Sequence, residues 1–223
     1  MIKIVQCWDD GVEDDIRLCE ELRKAGARAT FNLNPGLHKA FRSGSHRYRD
    51  CKDVRKLATG ELTSVYEGFT IANHTRTHPA ATRISIEEWR REVVDARKEL
   101  QDLFGQEVRG FAYPFGDFNP ATEAIVGEAG HAYARTCHNA TPSFPPQDAL
   151  ALAADCHHAA PDFWERFERA KAMGSPAFYF WGHSYEFLTE DDWKIFSDKL
   201  QRFANDPDAA WADLPELFAA NGS

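Results

Sequence analysis

The chain has 223 residues, with 26 basic against 35 acidic side chains for a formal charge of −9, and 43% of its residues are hydrophobic. That is enough for one sizeable core and cramped for two, so a single α/β domain spanning 1–223 is expected. An aromatic content of 13% excludes intrinsic disorder, and the acidic balance disfavours a nucleic-acid partner, leaving a small or neutral molecule.

Short apolar runs alternate with longer stretches of helical period, which predicts parallel strands joined by covering helices. The first strand falls at 2–7. A helix over 13–25 follows: acidic residues suit its start, Ile16, Cys19 and Leu22 have core spacing, and Gly26 ends it. Strands at 29–33 and 69–72 flank an excursion over 36–68 that carries a basic, glycine-containing piece at 42–49. A loop of that length is either a substrate lid or a surface insertion with a short helix. Ser85 with Glu88 forms a capping box for a helix that shows Trp89, Val93, Ala96, Leu100 and Leu103 before Gly105. Strand 110–113, a helix from Pro120, strand 132–136, a helix from Pro161 and strand 177–181 continue the alternation. The last helix starts at Thr189, with Trp193, Phe196, Leu200 and Phe203 on one face.

No apolar run is long enough to cross a bilayer, and the first residues read as a strand rather than a leader. The expectation is a soluble, cytoplasmic chain with no membrane partner. Five scattered cysteines form no Cys-x-x-Cys pair and fit reduced thiols.

Three clusters stand at the ends of predicted strands: Asp9-Asp10-Gly11, the run from His74 to Pro79, and Trp181-Gly182-His183. In parallel α/β architectures the loops after strand C-termini converge on one face, so these residues can meet around one substrate. Two histidines four apart reach one ion where the backbone is helical or tightly turned, and a carboxylate completes a three-ligand set with positions open for water. His74, His78 and Asp10 form that set. The histidine spacing alone is weak among nine histidines, and either aspartate could instead cap the first helix, but capping does not account for both.

These motifs, in this order and spacing, resemble the polysaccharide deacetylases with the NodB homology domain over nearly the whole chain. That family has an Asp-Asp-Gly turn after the first strand, a His-Thr-x-Thr-His-Pro segment after the third, an Arg-x-Pro-aromatic-Gly loop, and a late strand ending in a catalytic histidine. Here they read Trp8-Asp9-Asp10-Gly11, His74 through Pro79, Phe111-Ala112-Tyr113-Pro114-Phe115-Gly116 and Trp181-Gly182-His183. The resemblance implies an irregular (β/α) barrel of about seven parallel strands. It also implies a divalent metal on Asp10, His74 and His78, with zinc first and cobalt, nickel or iron as alternatives, polarising an acetyl carbonyl and acidifying a water. Asp9 would be the general base and His183 the acid for the leaving amine or alcohol. The backbone N–H of Phe115 would help stabilise the oxyanion.

Two departures stand out. The family's loop arginine, which salt-links the catalytic aspartate, is Ala112 here, and Arg135 on the next predicted strand is the candidate to replace it. The family's aspartate segment that orients the catalytic histidine is not recognisable, and Asp155 is the substitute considered. His157 and His158 fit a loop or substrate-contact role better than a second metal, because adjacent side chains point apart in extended chain. Among the aromatics of the expected mouth, Tyr113 and Phe115 belong to the loop motif, while Tyr185 and Glu186 follow His183 and are the better candidates for substrate contact. The function expected is a metal-dependent deacetylase acting on a carbohydrate or other small acetylated substrate. An O-acetyl esterase, an amidase on a non-sugar C–N bond and an inactive sugar-binding protein are the alternatives. Oligomeric state is not legible.

Overall fold

Strand β1 (Ile2–Asp9) is buried along almost its whole length, as expected of a parallel strand covered on both faces. In the computed structural model, which describes residues 1–218, it is followed by α1 (Asp15–Lys24), β2 (Thr30–Leu33), β3 (Ser43–Tyr48), β4 (Lys52–Lys56) and α2 (Leu62–Val65). Then come β5 (Thr70–Asn73), α3 (Ile86–Phe104), β6 (Gly110–Ala112), α4 (Pro120–Glu128), β7 (Tyr133–Asn139), β8 (Leu152–Ala154) and β9 (Cys156–His157). Helix α5 (Phe163–Ala172), β10 (Ala177–Gly182), α6 (Glu190–Ala204) and β11 (Ala209–Trp211) complete the chain. Among the described residues no helix is long and apolar enough to cross a membrane, and all five cysteines are free.

The principal sheet runs β8-β7-β6-β5-β2-β1-β10-β9, with every neighbouring pair parallel, and β11 lies beside the start of β1. β8 and β9 are one bent run broken only at Asp155, pairing first with β7 and then with β10. That bend brings the two sheet edges together, and the result is the nearly closed, seven-position barrel that the family resemblance implies.

Side chains alternate across each strand, so Val5, Cys7 and Asp9 share one face of β1. Val5 and Cys7 pack with Tyr133 and Tyr179 inside the barrel, whereas Ile4 and Trp8 join the larger core between barrel and helices. Asp9 and Arg135 are thus the next residues up on inward-facing rows. Helix ends follow local chemistry: Ser85 and Glu88 cap α3 reciprocally, and Gly105 closes it in the left-handed region at φ 63°. Thr189 caps α6, and Asn119 caps α4 ahead of Pro120.

The excursion over 36–68 contains the expected short helix, α2, and also an unexpected antiparallel hairpin of β3 and β4. Its turn places Arg49 and Asp50 at φ 48° and 55°. The strands are mostly exposed and charged, so they lack the apolar alternation that marks a strand in sequence. A bridge between Val12 and Lys56 ties the hairpin to the loop after β1.

Candidate active site

β1 runs two residues beyond its expected end, which makes Asp9 its last residue and leaves Asp10 in the turn above. Asp9 is almost wholly buried; Asn32 Nδ2 donates to its Oδ1 at 2.6 Å, and Arg135 Nη2 donates to its Oδ2. Burial pushes the Asp9 carboxyl upward, but Arg135, His74 and His183 outweigh it and hold the group below the usual carboxylate range. Ala112 pairs with Arg135 across β6 and β7. The guanidinium that the loop lacks therefore arrives at the same level from the neighbouring strand, stacked over Trp181 at 4.6 Å.

Asp10 lies at φ 86° and Gly11 at 66°, and Thr75, His78 and Phe115 also sit in the left-handed region, at 65°, 64° and 60°. Each such non-glycine residue costs on the order of 1 kcal/mol or more, and four of the six in the described chain surround this one site. Gly11 is required as glycine twice over, since a Cβ there would meet the His38 ring at 2.8 Å.

The donor atoms of Asp10, His74 and His78 lie within 4.8 Å of one another. His74 Nδ1 is 2.7 Å from the carbonyl oxygen of Ala112, which can only accept. Its proton is therefore on Nδ1, and Nε2 keeps a free lone pair for the site. Burial pushes His78 down to about 3, helped by His74, and also lowers His74, so both rings are neutral, the form that ligates. Two imidazole nitrogens and one carboxylate suit a divalent cation of the zinc type, and the tautomer of His74 fits that use.

Lys56 is the residue sequence reasoning missed. Its side chain is buried, and Nζ donates to Asp10 O at 2.5 Å and lies 3.3 Å from Oδ1. Burial raises the Asp10 carboxyl, but Lys56 and then the histidines leave it below the ordinary range. The register of β4 delivers this lysine, and no pattern in the sequence marks it.

His183 follows β10, with Nε2 3.9 Å from an oxygen of each aspartate. Asp155 does not orient it. Its Oδ2 accepts from the Tyr179 N–H at 2.8 Å, so this acid closes the seam of the barrel instead. The carboxylate beside His183 Nδ1 is Glu186, at 3.3 Å. Glu186 Oε2 also lies 2.9 Å from His157 Nε2, 2.8 Å from His158 Nε2 and 3.1 Å from the His183 N–H. Protein donors thus already hold one oxygen of Glu186, the side chain expected to contact substrate, and the residue also lines the adjoining cavity.

Two further expectations change. Tyr113 is fully buried between Trp89 and Phe118, its hydroxyl without a partner among the described residues, and belongs to the core. Tyr185 is buried too, stacked on His183 at 4.9 Å and packed by Tyr48 and His46 of the hairpin. Phe115 stays at the mouth, 68% exposed, with its ring edge-on to His78 at 4.7 Å. Beside the site lies a cavity of about 890 Å³, lined by His157, His158, Glu186, Tyr48, Arg49 and Lys199 among others.

A parallel barrel whose strand ends bring an aspartate pair and three histidines to one mouth carries the groups that metal-assisted hydrolysis uses. The sequence model of the family described as polysaccharide deacetylase matches residues 2–134, more than half of the chain, and the chain belongs to that family. No curated protein sequence matches it. Among solved structures, T48 deacetylase with substrate is similar at a TM-score of 0.64 and 17% identity, covering 98% of this chain and 91% of that one. The Streptococcus pyogenes deacetylase PplD in complex with acetate has a TM-score of 0.56 and 22% identity, covering 66% of this chain and 61% of its own. A mutant of BA3943, a CE4 family pseudoenzyme with restored enzymatic activity, has a TM-score of 0.60 and 15% identity, covering 97% and 67%. At these identities the likeness shows the fold, and the chain spans less than two thirds of the length of PplD.

Proposed function

We propose that this member of the polysaccharide deacetylase family removes acetyl groups from N-acetylated sugars with the help of a divalent cation. The observation that carries this is the convergence of Asp10, His74 and His78 on one point, with Asp9 and His183 beside it. A cation of the zinc type held by that trio would polarise an acyl carbonyl and acidify a water. Asp9, held in one orientation by Arg135 and Asn32, accepts the proton of the attacking water. His183 delivers a proton to the departing amine through Nε2. An amine leaves poorly as an anion, so this proton is essential for an amide and less so for an ester. Two similar structures, a deacetylase in complex with acetate and a deacetylase with substrate, agree with this chemistry. Retention of both aspartates and all three histidines argues against an inactive sugar-binding protein.

A second reading, a metal-independent amidase, is favoured by one observation. The Lys56 ammonium already lies against Asp10, where it supplies positive charge without an ion. One experiment separates the two: acetate release from short N-acetylated and O-acetylated sugars, before and after chelation and after zinc is restored. Removing several kcal/mol of transition-state stabilisation should cost about a hundredfold or more, recovered with zinc. Release that ignores chelation favours the Lys56 reading, and no release from any acetylated sugar overturns the proposal.

A further inference from the structure

We infer that Glu186 is the positioning residue of His183, and that His157 and His158 hold Glu186 for that task. This rests on the reading that His183 is the proton donor. Glu186 stands three residues after His183, and its side chain folds back across the turn so that Oε2 accepts the His183 backbone N–H at 3.1 Å. The other oxygen, Oε1, lies at ion-pair distance from His183 Nδ1, 3.3 Å, outside hydrogen-bond geometry. A carboxylate offers only lone pairs and negative charge, so its nearness favours the ring proton on Nδ1 and leaves Nε2 to exchange a proton at the mouth. Tyr185, stacked at 4.9 Å, fixes the plane of the same ring. Among the described residues Glu186 is the one carboxylate paired with Nδ1.

His157 and His158 complete the device. His157 Nδ1 accepts the Ala159 N–H at 3.2 Å, so its own proton is on Nε2, which lies at ion-pair distance from Glu186, 2.9 Å. His158 reaches the same oxygen at 2.8 Å. With the His183 N–H, two hydrogen bonds reach Oε2 and His157 adds a third contact at ion-pair distance, which together hold the carboxylate in one orientation. A second cation on His157, His158 and Glu186 would need the Nε2 lone pair of His157, while the Ala159 contact already needs that of Nδ1; a neutral imidazole has only one.

The test compares wild type with Glu186→Gln and Glu186→Asp. In the zinc-free proteins, the 15N shifts of the His183 ring report its tautomer without any turnover. The wild type should carry the proton on Nδ1, and Glu186→Gln, which turns an amide N–H toward that atom, should move it to Nε2. On an N-acetylated sugar Glu186→Gln should lower kcat by roughly 10–100-fold at nearly constant KM, with partial recovery in Glu186→Asp. On 4-nitrophenyl acetate, whose leaving group departs without a proton, the loss should be at least tenfold smaller. Zinc content should be equal in the folded wild type and variants. An unchanged tautomer, an equal loss on both substrates, or the loss of one zinc equivalent would each overturn the inference. Failure of the wild type on N-acetylated sugars would instead overturn the proposed function, and the ring shifts would still decide the role of Glu186.

Discussion

Asp9 and Arg135 form an ion pair whose side chains are only 3% and 1% exposed. Taking two charges out of water costs several kcal/mol for each, so such a pair stands only while both members are present. Arg135→Met should therefore destabilise the protein by about 3–5 kcal/mol, because it strands a buried carboxylate that then relies on Asn32 alone. Adding Asp9→Asn should recover more than half of that loss, as a coupled pair requires. Urea unfolding of the two single variants and the double variant reads the coupling directly, and simple additivity would show that the contact contributes no mutual stabilisation. Arg135 was legible in the sequence because it lies on the next predicted strand and the missing arginine at Ala112 called for a replacement. Lys56 was not, because a residue on a polar hairpin reaches Asp10 only through the tertiary placement of that hairpin.

At the scale of elements, the start of α1 is fastened by a fully buried acid. Asp15 accepts from Ser184 Oγ at 2.5 Å, from Tyr66 OH at 2.5 Å and from the Val12 N–H at 3.1 Å, joining the helix to the loop after β10 and to the segment after α2. Burial dominates and pushes its carboxyl up to about 7, although the three hydrogen bonds pull the other way. The unfolded chain releases this proton near the ordinary aspartate value of about 4. Between about pH 4 and 7 the folded state thus binds the additional proton, and stability must fall as pH rises through that window and level off above it. The part of the stability curve that Asp15→Asn removes should be a decline on the order of 4 kcal/mol between those limits, measured as the difference in unfolding free energy between wild type and variant. A difference constant with pH would place the carboxyl near its ordinary value. The long elements were readable for equally local reasons: Ser85, Gly105 and Thr189 mark helix ends by their own backbone needs. β8, β9 and β11 were not, since runs of two or three residues carry no period, and their pairing is set by closure of the barrel.

For the whole molecule, the balance of charge at the mouth bears on how folding depends on metal. Arg135 offsets Asp9 and Lys56 offsets Asp10, so the two acids are compensated within the protein itself. The barrel core is apolar and does not pass through the trio, unlike a small domain whose only core is its ion. The chain should therefore remain folded after chelation, with an unchanged circular dichroism spectrum at 25 °C, and gain stability when zinc is added. Free zinc at about 100 times its dissociation constant would contribute about 2.7 kcal/mol. For a domain of this size that is a rise in Tm of about 5–11 °C, at roughly 2–4 °C per kcal/mol. His78→Ala should lose most of that rise because it deletes one of three donors, whereas His157→Ala should keep it because its ring serves Glu186. Equal responses to zinc in the wild type and in His78→Ala would mean that the ion binds somewhere other than between Asp10, His74 and His78.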